Sequence, residues 1–199
     1  MGITRLQPGD ALVVVDAQVD FVSGSLAVPG AARVLPALRH CIAAFAALGL
    51  PVFATRDWHP PDHVSFAAQG GPWPPHCVAG TPGAELAEGL GIGGETEVVS
   101  KGTHPGREAY SAFEGTDLDA RLRRAGAKRL FVGGLATDYC VLHTVRDAIG
   151  LGYAVVLLLD AMRAVDATPH AGDAAIREML ALGAQAARSG QLGREAAHG

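Results

Sequence analysis

Leu130-Phe131-Val132-Gly133-Gly134-Leu135-Ala136-Thr137-Asp138-Tyr139-Cys140-Val141-Leu142 is the stretch whose reading decides the fold. Its apolar start, paired glycines and following run of helical spacing predict a short buried strand, a Gly-Gly turn and a helix from about Thr137 to Leu151. Cys140 then lies in the first turn of a helix at the C-terminal end of a strand. Unpaired backbone N–H groups there carry partial positive charge, which is expected to lower the thiol pKa and favour thiolate. Cys140 is a candidate nucleophile, although a lone cysteine is as readily a small buried apolar residue. What the other strands bring to the same edge decides between the two.

Upstream, residues 11–15 are a continuous apolar run ending at Asp16, the pattern of a strand buried on both faces of a parallel sheet. Residues 31–48 have apolar positions at helical spacing, with Pro36 in the first turn and Gly49 as the stop. A second strand over 51–55 leads into Arg56-Asp57-Trp58-His59. Residues 60–83 are dense in Pro, Gly and aromatic residues, which predicts a long ordered loop of the kind that carries function. A third strand spans 97–101, and a helix starts near Thr116-Asp117-Leu118-Asp119 and runs to about Ala125. Strands over 129–132, 153–159 and 184–187 complete the series, with a helix from Thr168-Pro169 to about Leu182 between the last two. Alternation of this kind makes an α/β protein with a parallel sheet covered by helices on both faces. We expect one domain over residues 1–189 and a frayed polar tail over 190–199.

At 199 residues the chain is long enough to bury about 70% of its unfolded surface. With 49% hydrophobic and 18% charged residues it has a globular composition. A net charge of −4 offers no basic face to nucleic acid or anionic lipid, so neither is an expected partner. The three cysteines form no Cys-x-x-Cys pair, which suits a reducing compartment, and a cytoplasmic location is expected. The opening residues have no signal-peptide core, and no apolar run reaches the length of a membrane span. No exposed apolar stripe can be assigned from sequence, so homo-oligomerisation stays open.

In a parallel sheet, ligands bind outside the C-terminal strand ends, and those ends carry Asp16, Asp57, Lys101 and Cys140. A cysteine nucleophile needs a base that takes its proton and returns it to the leaving group, a task for Asp16. Lys101 would hold that carboxylate and stabilise thiolate or oxyanion charge. Asp57-x-His59, with His63 and His76 in the loop beyond, offers a carboxylate and imidazoles to a borderline divalent ion such as zinc, iron(II) or manganese(II). The remaining histidines, His40, His104, His143, His170 and His198, are read as structural or surface residues, and Cys41 and Cys77 as packing residues. No glycine-rich nucleotide motif is present, so Gly133 and Gly134 are expected to let the backbone approach a substrate, with N–H groups near Ala136 and Cys140 as an oxyanion hole.

At these residues the chain resembles the nicotinamidase group of the isochorismatase-like cysteine hydrolases. The resemblance rests on Val14-Val15-Asp16-Ala17-Gln18-Val19-Asp20-Phe21, Thr55-Arg56-Asp57-Trp58-His59, Trp73-Pro74-Pro75-His76-Cys77, Lys101-Gly102, Glu108-Ala109-Tyr110-Ser111-Ala112-Phe113 and Gly133 to Cys140. It implies a three-layer αβα sandwich with a six-stranded, mostly parallel sheet, and hydrolysis of nicotinamide to nicotinate and ammonia in NAD salvage, with pyrazinamide as a close analogue. It implies a triad of Asp16, Lys101 and Cys140, an oxyanion hole at Ala136 and Cys140, and a zinc-type site at Asp57, His59 and His76 that His63 joins in some members. Phe21, Trp73, Tyr110, Leu135 and Ala136 match ring-pocket positions, and Leu135–Ala136 matches a non-proline cis peptide. Tyr139 departs from members that carry histidine before the nucleophile, which bears on pocket access. Relatives acting on carbamoyl or ureido substrates share the fold without this metal set and are the alternative reading. A metallohydrolase with Cys140 as packing, or a non-catalytic binding module, are rivals that the intact Asp16, Lys101 and Cys140 argue against.

Overall fold

The computed structural model describes residues 4–193. In chain order the elements are β1 (Thr4–Arg5), β2 (Asp10–Val15), α1 (Val19–Val22), α2 (Leu35–Ala46), β3 (Val52–Asp57) and β4 (Glu97–Lys101). They continue as α3 (Leu118–Arg124), β5 (Arg129–Leu135), α4 (Leu142–Gly150), β6 (Ala154–Arg163), α5 (Ala171–Ala181), β7 (Gln185–Ala187) and β8 (Leu192–Gly193). Strands β2 to β7 form a six-stranded sheet in the order β4-β3-β2-β5-β6-β7, and every pairing is parallel. From β2 the chain builds outward to β4 on one side, and from β5 outward to β7 on the other. Connections therefore diverge between β2 and β5, which leaves a crevice at their C-terminal ends.

The apolar run of β2 is explained by its two buried faces. Leu12 and Val14 pack with Leu38, Cys41, Ile42 and Phe45 of α2, while Ala11, Val13 and Val15 pack with Leu118, Leu122, Val145, Ala148, Ala175 and Met179 of α3, α4 and α5. Alternate residues of a strand face opposite sides, so one hydrophobic run serves both layers. Phe45 and Phe131 meet edge-on with centroids 5.3 Å apart, a contact whose loss in Phe131→Ala would cost about 3–5 kcal/mol.

Three expectations need correction. No turn occurs at Gly133-Gly134, because β5 continues to Leu135. A side chain on Gly134, whose φ is +129°, would run into the Val15 backbone, so glycine here lets β5 pass close to β2 where the β5–β6 register shifts. After β5, residues Thr137–Val141 form a wide π-helical turn before α4, so Cys140 does not sit in a regular α-helical first turn. Residues 190–193 are likewise not a frayed tail. Ser189 donates from N and Oγ to the Asp160 carboxylate at 2.8 and 2.6 Å, and β8 then pairs in parallel with β1. The rest of the expected tail, residues 194–199, lies outside the described residues, as does His198. Among the described residues no helix is long and apolar enough to cross a membrane.

The loop between β3 and β4 is ordered without a strand ladder. Isolated bridges at His59–Val78, Phe66–Trp73 and Gln18–Leu86, with short 3-10 turns at Ala67–Gln69 and Pro82–Ala84, hold it over the crevice.

Candidate active site

The divergence between β2 and β5 explains why four chemically active side chains converge. Asp57 and Lys101 are register partners at the ends of β3 and β4, Asp16 follows β2, and Cys140 follows β5. Lys101 Nζ donates to Asp57 Oδ1 at 2.6 Å, to the Ala109 carbonyl at 2.9 Å and to Cys140 Sγ at 3.5 Å. It also lies 2.9 Å from Asp16 Oδ2. Lys101 is only 1% exposed, and an ammonium so buried is tolerable only because carboxylates surround it. Asp16 Oδ1 accepts a 2.7 Å hydrogen bond from Thr55 Oγ1. The contact of Asp16 Oδ2 with Lys101 is an ion pair outside hydrogen-bond geometry. Oδ2 is therefore, among the described residues, the sole buried side-chain polar atom without a hydrogen bond. A left-handed backbone at Asp16, φ 45°, turns the carboxyl inward, and aspartate tolerates it better than most residues.

Burial sets the resting protonation. It pushes the Cys140 thiol well above its ordinary value, Lys101 offsets part of that, and the Asp16 and Asp57 carboxylates add to the rise. The expected thiolate-favouring effect of the helix start is thus overturned, and Cys140 rests as a thiol that needs a base. Burial also raises the Asp16 carboxyl, against the pull of Lys101 and with the repulsion of Asp57. For Asp57 burial is outweighed by Lys101 and His59, which hold it well below the usual carboxylate range. Lys101, despite burial, is held well above its ordinary value by Asp16 and Asp57.

Asp57, His59 and His76 form the second half of the site, each offering a ligand atom within 4.8 Å of the others'. Their surroundings fit a cation. His59 Nδ1 is 2.9 Å from the Gly102 carbonyl and His76 Nδ1 is 2.8 Å from the Pro74 carbonyl. Each carbonyl fixes Nδ1 as the donor, which leaves both Nε2 lone pairs for a metal. Asp57 Oδ2 lies 3.6 Å from His59 Nε2. Burial lowers the His76 pKa and would lower that of His59, but Asp57 raises His59 overall. His63 is not brought into this group. Its Nδ1 pairs with Ser65 Oγ at 2.7 Å and its Nε2 with the Arg107 carbonyl at 3.0 Å, so neither ring nitrogen is spare. Its ring instead stacks on that of His59, with centroids 4.0 Å apart.

Both halves open into one cleft lined by Phe21, Trp73, Tyr110, Ala136 and Cys140 with Asp57, His59 and His76. Trp73 Nε1 donates to Tyr110 Oη at 3.1 Å, and Trp73 packs edge-on against Tyr139. Leu135, expected in the pocket, is fully buried in the α2-side core, because its side chain still alternates as part of β5. The peptide between Leu135 and Ala136 is cis, as the resemblance implied. Sequence reasoning missed Leu26, Val28, Glu108 and Val165 as wall residues. Glu108 could have been found, since it opens the quoted motif that ends at Phe113. Leu26, Val28 and Val165 carry no signal beyond being apolar. Cys41 and Cys77 are core residues, as expected, and burial pushes the Cys41 thiol up to about 12.

With fold and site in view, the class follows. Residues 10–191 match the isochorismatase domain, and the chain belongs to that family. Within it, the nicotinamidase of Escherichia coli is 39% identical, over 89% of this chain and 93% of its own. The pyrazinamidase of Pyrococcus horikoshii, solved in complex with zinc, superimposes with a TM-score of 0.87 at 43% identity, over 91% of this chain and 99% of its own. PnC1 of L. infantum, solved in complex with nicotinate, superimposes with a TM-score of 0.86 at 36% identity, over 98% of this chain and 100% of its own.

Proposed function

We propose that this chain is a nicotinamide amidohydrolase, releasing nicotinate and ammonia, and that pyrazinamide is turned over in the same cleft. The observation that carries this reading is the buried Asp16 Oδ2, unpaired by any hydrogen bond, beside a thiol that rests protonated. Such an oxygen is where a proton from sulfur can go. Asp16 takes the Cys140 proton and sulfur attacks the amide carbonyl. The oxyanion is met by the N–H groups of Ala136 and Cys140. Collapse of the adduct expels ammonia, with the proton returned by Asp16, and leaves a thioester. Asp16 then deprotonates the water that cleaves the thioester, freeing nicotinate and restoring the thiol. Lys101 keeps the Asp16 carboxylate oriented and balances the charge beside Asp57.

Asp57, His59 and His76 would hold a divalent ion, for which zinc is our choice, with His63 behind His59. Bound there, it supplies a Lewis-acidic anchor for the pyridine nitrogen. Phe21, Trp73 and Tyr110 flank the aromatic ring. The three unpaired thiols support a reducing, cytoplasmic setting. The test is ammonia release from nicotinamide by purified protein before chelation, after it, and after zinc is restored. Release that depends on zinc is the expected result; none from the zinc-loaded protein refutes the assignment.

A further inference from the structure

The Asp16–Phe21 motif contains two polar residues that the chemistry above leaves unused, Gln18 and Asp20. Gln18 is completely buried. Its Oε1 accepts from the Asp57 N–H at 2.8 Å, while its Nε2 donates to the Asp57 carbonyl and the Ala84 carbonyl, each at 2.8 Å. One side chain thus holds both backbone polar groups of Asp57 as a neighbouring strand would, at the point where β3 ends.

Asp20 performs a similar service for the other arm. Its Oδ2 accepts from the Cys77 N–H at 2.7 Å and its Oδ1 from the Ser25 N–H at 3.1 Å. Ser25 Oγ in turn donates to the Pro75 carbonyl at 2.8 Å. His76 is therefore pinned at the residue before it and at the residue after it by the same short segment. A side chain at either Gly24 or Gly83 would collide with the Asp20 carboxylate, so the fit around this group is close. The segment also carries Phe21, whose ring lies 5.6 Å from that of His76.

We propose that residues 18–25 are a brace for the metal arms, with Gln18 and Asp20 as positioning residues that set Asp57 and His76 at the separation an ion requires. The inference rests on the metal reading of Asp57, His59 and His76. Backbone hydrogen bonds of this kind cost little to form in advance and remove the reorganisation that binding would otherwise demand. The loop itself has no sheet neighbour to do this, which is why side chains from an adjacent segment supply it.

The test is calorimetric titration of chelator-treated protein with zinc, alongside the melting temperature of each metal-free variant. Asp20→Asn can accept only one of the two N–H groups and is expected to weaken zinc binding about tenfold, the lower end for groups that orient ligands. Gln18→Glu keeps the acceptor for the Asp57 N–H, loses both donors, and is expected to do the same. Ser25→Ala, an exposed change that should not threaten folding, is expected to weaken zinc about threefold, as for one hydrogen bond. Zinc affinity unchanged in the folded variants, with only the melting temperature lowered, would overturn the brace and leave the metal site standing. Zinc binding by the parent protein that survives His76→Ala would refute the metal site itself, and the brace with it.

Discussion

Asp16, Lys101 and Cys140 stand at or just beyond the C-terminal ends of three strands of one sheet, whereas His59 and His76 stand on a loop with no strand ladder of its own. The first group is placed by the sheet: once β4, β3, β2 and β5 pair in register, their C-terminal ends lie along one edge. It is held together by charge, through a Lys101 ammonium within 3.0 Å of both carboxylates. The second group is placed by individual hydrogen bonds to carbonyls and by ring packing. Chemistry that must be buried and charge-balanced sits on the rigid half. The proposed metal ligands sit on the half whose geometry is adjustable residue by residue.

The difference makes the halves separable, and the largest effect tests that directly. Cys140→Ala is expected to lower kcat by roughly 10⁴-fold or more while zinc content stays at the parent level, measured by ammonia release and elemental analysis. Concomitant loss of zinc would show that the halves are one unit. Next, Lys101→Met leaves two carboxylates buried without their cation and should cost about 3–5 kcal/mol in denaturant unfolding; a loss below 1 kcal/mol would mean that charge does not hold the strand-end group together. On the loop half, His63→Ala should weaken zinc by about 10–100-fold, as expected of a group behind a ligand, and His59→Ala by more. Equal losses would make His63 a ligand after all.

A pH dependence follows from His59. Burial disfavours the charged His59 ring, but Asp57 and the Gly102 carbonyl together raise its pKa above the ordinary value, so a proton competes with zinc for the metal-free ring. His76 is lowered and offers no such competition. Zinc affinity should therefore climb as pH rises through the His59 value, with proton release read from the buffer dependence of the binding enthalpy. A pH-independent affinity between 6 and 8 would contradict this. The smallest effect concerns the wall: Trp73→Phe loses the hydrogen bond to Tyr110 and should raise KM by a few-fold, about 1 kcal/mol, with kcat little changed.

The strand-end half was also the more legible. The continuous apolar run identified β2 nearly to the residue, since burial on both faces writes itself into composition, and β4 falls on its expected span although its first two residues are exposed. Where the reading failed, tertiary contact had overruled a local signal. Gly133-Gly134 looked like punctuation and instead continues β5, with Gly134 letting the strand approach Val15. The Cys140 thiol looked activated by a helix start, but the helix begins as a π turn and burial outweighs its dipole. Leu135 followed its strand into the core rather than its neighbour Ala136 into the cleft. On the loop half, Asp57, His59 and His76 were readable as residue types. Nothing in their spacing could say that His63 spends both nitrogens on Ser65 and Arg107.

The short pairing of Thr4–Arg5 with Leu192–Gly193 has a practical side. It brings residues 5 and 193 together at one place on the surface, far along the chain from each other and outside the main sheet. A few-residue linker could splice the molecule there and a cut could be made between Gly93 and Gly94, both with open space around them. The rearranged polypeptide would begin just before β4, so the strand delivering Lys101 would be synthesised first and the one delivering Asp57 last. That order of assembly would reveal whether the charged cluster can form without its natural sequence of arrivals.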